Sequence, residues 1–209
     1  MLRALSLLEA RVLGTLYEKE RTVPDSYPMS LNALVLGCNQ KTSRNPVMEA
    51  TDAEVQAVVD DLKRLNLVVE SSGGRVARYS QNLERVLQVP SQSAALLAVL
   101  MLRGAQTPGE LRIAAERLHR FADISAVQGF LDELAARPSG ALVVQLPRLP
   151  GARENRWAHT LSGTPEPQPV ADSQVPTDTL AARVARLETE VAELKALVHS
   201  ITGRTSSDG

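Results

Sequence analysis

Cysteine is nearly absent from this chain of 209 residues, where Cys38 stands alone. A lone thiol excludes an intramolecular disulfide framework and any multi-cysteine metal site. Aromatic residues are scarce at 3%, against 44% hydrophobic residues overall. The core is therefore aliphatic, and base-stacking modules that need several exposed aromatics are disfavoured. An excess of one charge is missing too: Lys and Arg total 23, Asp and Glu 24, for a net charge of −1. That balance excludes a polybasic protein that coats nucleic acid through charge alone. No apolar run reaches the roughly 18 residues of a spanning helix, and Met1-Leu2-Arg3 leads directly into an amphipathic segment. The expectation is a cytoplasmic protein without a membrane partner.

Catalytic constellations are equally thin. His119, His159 and His199 lie in three separate segments, and none has a His or Cys at metal-ligand spacing. Gly73-Gly74 falls between two strand-like runs, the wrong context for a phosphate loop. Cys38 belongs to an apolar helix face, where a structural thiol is favoured over a nucleophile. Glu54, Asp60 and Asp61 diverge around a helix and read as a solvated face. No enzyme activity, cofactor or metal is expected.

What is present is a pattern of helix starts. Ser6 with Glu9 forms a capping box, followed by Leu5, Leu8, Val12, Leu13 and Leu16 at helical spacing through about Tyr17. Arg21–Pro28, with Pro24 and Pro28, reads as a loop. Ser30 caps a second helix carrying Leu31, Leu34, Val35 and Cys38, and the polar stretch Asn39–Met48 reads as a long connection. Thr51 with Glu54 opens a third helix bearing Val55, Val58, Val59, Leu62 and Leu65. Leu67-Val68-Val69, a Ser72-Gly73-Gly74 turn and a return through Arg75–Tyr79 make a hairpin. Three helices and a hairpin is the order of a winged helix-turn-helix domain, or of a generic small α+β domain.

The same order recurs. Ser91 begins an apolar helix through Leu102. Thr107 caps the next, with Pro108 at its first position and Leu111, Ala114, Ala115 and Leu118 following. Asp123 caps a third, with Val127, Phe130, Leu131 and Leu134, ending before Pro138. Leu142-Val143-Val144 and Arg156-Trp157-Ala158 supply a second hairpin. Val55-Gln56 and Leu62 match Val127-Gln128 and Leu134 at one constant offset, and Arg78-Tyr79 matches Arg156-Trp157. The economical reading is mainly α with small β-hairpins (α+β): two tandem winged helix-turn-helix domains, residues 1–80 and 81–161.

Beyond them, residues 162–178 form a Pro-rich linker and 179–202 a helix, with a disordered polar tail at 203–209. Leu180, Val184, Leu187, Val191, Leu194, Val198 and Ile201 are spaced alternately four and three apart. Val at a and Leu at d favour a parallel two-stranded coil. In that register Arg183 faces Glu188 and Glu190 faces Lys195 across the pair, opposite signs that the apolar pattern did not force. The coil predicts a parallel homodimer; the alternative is one amphipathic helix docking on its own domains.

Segment charges are zero for 1–80, +2 for 81–161 and −3 for 162–209. The local basic clusters are Lys41 and Arg44 before the third helix, Arg75 and Arg78 at the first wing, and Arg148, Arg153 and Arg156 around the second. These are the candidate nucleic-acid-binding residues, suited to phosphates or a minor groove. Against them, the first recognition helix opens with Asp52 and Glu54, and the second carries Asp123, Asp132 and Glu133.

The strings EARVLG, SLNAL and CNQKTSRNPV, followed by LNLVV, GGRVARY, GELRIAAERLHRF and ENRWAHTL, together resemble the YceH family of uncharacterised bacterial proteins across residues 5–161. The resemblance implies tandem winged helices and brings no reaction, substrate or catalytic residue. Two functional readings follow. One is a dimeric DNA-binding, transcription-regulator-like protein; the other is a protein-protein interaction scaffold that uses winged helices as docking surfaces without DNA. Convergence of the basic residues on one face favours DNA, whereas carboxylates interrupting that face favour the scaffold.

Overall fold

Residues 3–71, 76–148 and 150–163 are described by a computed structural model. Within them the chain is α+β, with seven helices and two small antiparallel sheets. Helix α1 (Leu7–Thr22) starts at the expected capping box. The Glu9 N–H donates to Ser6 Oγ at 3.1 Å, and the Ser6 N–H donates to Glu9 Oε2 at 2.6 Å. Arg3 clamps the same carboxylate and holds it below the usual range. The helix runs past Tyr17 into the stretch expected to be loop. Its last turn is held by Arg21, which lies 4.0 Å over the Tyr17 ring and donates to Glu84 at 2.6 Å. Pro24 then prevents continuation, because the residue before a proline avoids helical backbone.

Strand β1 (Met29–Ser30) follows, an element the periodicity did not reveal. Its last residue, Ser30, accepts from the Ala33 N–H and caps α2 (Leu31–Cys38). Helix α3 (Asp52–Arg64) opens on the Thr51–Glu54 capping box. Strands β2 (Val68–Ser71) and β3 (Arg78–Gln81) pair antiparallel, with β1 on the other side of β3. Met29 stands opposite Tyr79 in that sheet. The return strand thus begins at Arg78 and reaches Gln81, later than its apolar residues implied. A five-residue helix α4 (Leu83–Leu87) closes the first half, its last carbonyls receiving Arg137.

The second half repeats the order. Helix α5 (Ser91–Arg103) is buried from Ser93 through Leu102. Helix α6 (Pro108–Ala114) is capped by Thr107, with Glu110 completing a capping box. It stops at Ala114, so Leu118 lies beyond it. Helix α7 (Ile124–Ala135) is capped by Asp123. Strands β4 (Val143–Gln145) and β5 (Trp157–His159) pair antiparallel. A bridge between Gln106 and Trp157 stands where Met29 meets Tyr79 in the first half. The halves therefore agree in caps, in pairing and in burial: Val55 and Val127 are both fully buried, as are Leu34 and Leu111. Gln56 donates to Asp60 at 3.3 Å and Gln128 to Asp132 at 2.9 Å, the same contact at equivalent helix positions.

One apolar cluster extends from Leu5 to Leu161. Its centre is α1 packed on α5. At Gly14 a Cβ would sit 3.0 Å from Leu102 Cγ, so the two helices approach at a position with no side chain. Tyr17 donates its hydroxyl to the Ser91 carbonyl at 3.0 Å. Burial of this aliphatic surface is the main favourable contribution, about 25 cal/mol per Å² removed from water. No helix among the described residues is long and apolar enough to cross a membrane.

Candidate functional site

The basic residues part company in the structure. Arg44 is a correction to the sequence reading: its side chain is wholly buried and fixed from four sides. Nη2 donates to Glu18 Oε2 at 2.6 Å and to Gln40 Oε1 at 2.8 Å, while Nε donates to the Gly37 carbonyl at 3.1 Å. The remaining Nη1 donates to the Ser43 carbonyl at 3.0 Å and to Glu18 Oε1 at 3.2 Å. Moving this guanidinium to a phosphate would strand Glu18 and empty a packed position, so Arg44 is structural. Burial by itself would push the Glu18 carboxyl up, but Arg44, helped by Lys19, outweighs burial and holds it low.

A second arginine shares that task. Arg11 is fully buried and donates to the Cys38 carbonyl at 3.0 Å and the Pro46 carbonyl at 2.6 Å. Arg11 and Arg44 thus meet the last carbonyls of α2, the negative end of its dipole. They also anchor the connection that leads to α3. The Cys38 thiol lies beside Thr15, and burial pushes it up to about 11, so it stays protonated at neutral pH.

Among the other candidates, Lys41 is exposed in the connection after α2. Arg78 is exposed on β3 and donates to the Pro28 carbonyl at 2.8 Å. Arg148 and Arg153 are exposed on the loop between β4 and β5. Arg156 donates to Glu110 at 3.2 Å. A cleft of about 220 Å³ brings Arg153 and Arg156 together beside Thr107, with Glu154 in the same wall. Arg75 and the heptad residues Leu180 to Ile201 lie outside the described residues, as do the tail and the linker beyond Gly163.

On the other side of Glu154 a groove of about 550 Å³ runs between the start of α6, α7 and the second hairpin. Pro108, Ile124 and Gly129 form its apolar floor, and Asp132 and Glu154 supply its charge. Ile124 is 49% exposed there. Sequence reading noted Asp132 only as an obstacle to DNA. The signal that marks it is the Gln-x-x-x-Asp spacing shared by Gln56–Asp60 and Gln128–Asp132, which sets the carboxylate's orientation in both halves.

The first half presents a related face. Asp52 and Glu54 are exposed at the start of α3, where hydrogen bonds from the Thr51 N–H and hydroxyl hold the Glu54 carboxyl low. Asp60 pairs with Lys63 at 3.5 Å, and Lys63 also meets Glu70. Leu36 on α2 and Ile113 on α6 occupy the sixth position of their helices and are 71% and 76% exposed. Carboxylates are thus exposed on α3 and α7 and one aliphatic side chain each on α2 and α6, beside exposed Arg64 on α3 and Arg85 on α4.

Comparison with known proteins adds a family without an activity. A family model described as a protein of unknown function, DUF480, matches residues 5–152. A UPF0502 protein of Dechloromonas aromatica is 61% identical over 200 residues, covering 93% of this chain and 94% of the relative. A UPF0502 protein of Methylibium petroleiphilum is 67% identical over 165 residues, covering 79% of this chain and 70% of the relative. Another, from Paraburkholderia phytofirmans, is 55% identical over 215 residues, 99% of this chain and 92% of the relative.

Proposed function

Since this chain belongs to the DUF480 family, whose function is unknown, we propose its role from its surfaces: a non-enzymatic scaffold that docks other proteins on two tandem winged helices. The repeated order of helices and hairpins, with matched caps and matched Gln–Asp contacts, supports the winged-helix reading. The carrying observation is the α7 groove, where the lining holds Asp132 and Glu154 and no Lys or Arg. A helix that enters a major groove brings that face against phosphates, and carboxylates there repel them. The loss of Arg44 to the core points the same way.

A second reading rests on Arg148, Arg153 and Arg156, which suit phosphate contact by the second wing alone. Titrating random-sequence duplex DNA at falling ionic strength separates the two. The scaffold reading expects no binding even at low salt. Binding that weakens steeply with salt, and that is lost in an Arg148→Ala/Arg153→Ala variant, overturns it in favour of DNA.

Self-association through the C-terminal heptads completes the proposal. Sedimentation of a chain truncated after Gly163 is expected to give a monomer. A dimer that survives truncation rejects the coil as its source.

A further inference from the structure

We propose that the groove between α6, α7 and the second hairpin holds a cationic segment of a partner protein, with a Lys or Arg between Asp132 and Glu154 and an aliphatic neighbour on Ile124 and Pro108. This rests on the docking reading and specifies its ligand. Charge decides the class of occupant. Asp132 and Glu154 both face the groove, and among the described residues neither is paired with a Lys or Arg. In the first half the equivalent Asp60 is neutralised by Lys63. At the matching place in the second half stands Ala135, which has no charge to offer. Asp132 and Glu154, both exposed on one groove, attract a cation there, while Arg153 and Arg156 line the neighbouring cleft rather than this one.

Shape narrows it further. The Gln128 amide holds Asp132 from one side at 2.9 Å, which leaves its other lone pairs for an incoming donor. Gly129 is exposed mid-helix, and a Cβ built there meets nothing within 4 Å. The α7 backbone is therefore approachable by a main chain lying along the groove. Asp123 already caps the α7 N-terminus by accepting from the Ala126 N–H at 2.7 Å, and its carboxylate repels a further anion at that end. An extended segment that alternates basic and aliphatic residues satisfies each of these features.

The test uses the full-length chain and a fluorescent nonapeptide alternating Leu and Arg, with a Leu and Glu peptide as control, read by anisotropy. The basic peptide is expected to bind and the acidic one not. Asp132→Asn combined with Glu154→Gln is expected to weaken binding roughly ten-fold or more, as loss of charge-assisted contacts implies. Gly129→Gln, which fills the open space above the helix, is expected to weaken it while circular dichroism stays unchanged. Equal binding of both peptides, full affinity in the carboxamide pair, or no binding at about 1 mM peptide overturns the assignment. The DNA titration is independent: DNA binding would sink the docking reading itself, whereas a silent peptide with no DNA binding would remove only this ligand.

Discussion

Glu18 and Arg44 meet at 2.6 Å across 26 residues of chain, joining the back of α1 to the connection between α2 and α3. The contact converts what looks like a surface cation into a core tie. It is one of two arginine ties at the C-terminal end of α2, the other being Arg11.

Glu18→Gln is expected to lower unfolding stability by about 2–3 kcal/mol. That is below the full cost of breaking a buried pair because Glu18 keeps some water contact. Arg44→Lys is expected to fail as a replacement, since an ammonium cannot serve the Gly37 carbonyl and both Glu18 oxygens in one plane. Urea denaturation of the two variants checks both expectations.

Gly37 is set so close to α1 that a Cβ would lie 2.6 Å from Thr15 Cγ2. Gly37→Ala is therefore expected to cost about 1–3 kcal/mol through overpacking. Thr15→Ser removes the clashing methyl and keeps the hydroxyl beside Cys38. The double variant should regain most of the loss, and a double-mutant cycle measures the coupling. Additive losses would mean that Gly37 acts through backbone freedom instead.

His159 is half-buried on β5, and desolvation pushes its imidazole down to about 4. The unfolded chain thus takes up a proton from about pH 6.5 downward while the folded one resists until about pH 4. Stability from this group is complete above pH 6.5 and is lost progressively as pH falls to about 4, up to roughly 3 kcal/mol in total. Comparing urea midpoints at neutral and mildly acidic pH, His159→Gln should flatten this slope. An unchanged slope would show that His159 contributes none of it.

Glu9 and Glu18 are each held below the ordinary carboxylate range. Arg3 is the main cause for Glu9, while for Glu18 the Arg44 contact overcomes burial. Their contributions are present above the unfolded carboxylate values, about 4.3, and vanish as pH falls through the folded ones. A second loss of stability below about pH 4 is expected, and Arg3→Ala should shrink it in an acid titration followed by circular dichroism.

Local chemistry explains what was legible beforehand. The caps at Ser6, Ser30, Thr51, Thr107 and Asp123 involve partners within three residues, so a sequence displays them in full. Elements decided by distant partners stayed hidden. The tail of α1 depends on Glu84, β1 exists only because β3 is beside it, and five-residue α4 is too short for a period. The candidate site divides the same way. Arg148 and Arg153 are exposed as a count of charges implies, but no such count sees that Arg44 is enclosed or that Asp132 and Glu154 share a groove.

Gly14 carries a consequence for the repeat as a whole. The gap between α1 and α5 is metered at a single hydrogen atom, because a methyl there would press on Leu102 and Met101 at 3.0–3.3 Å. An alanine at this position requires Leu102 and Met101 to give by a few tenths of an ångström, so the joint between α1 and α5 has no slack there. A larger residue at Gly14 is thus felt in both halves at once, since α1 belongs to one and α5 to the other.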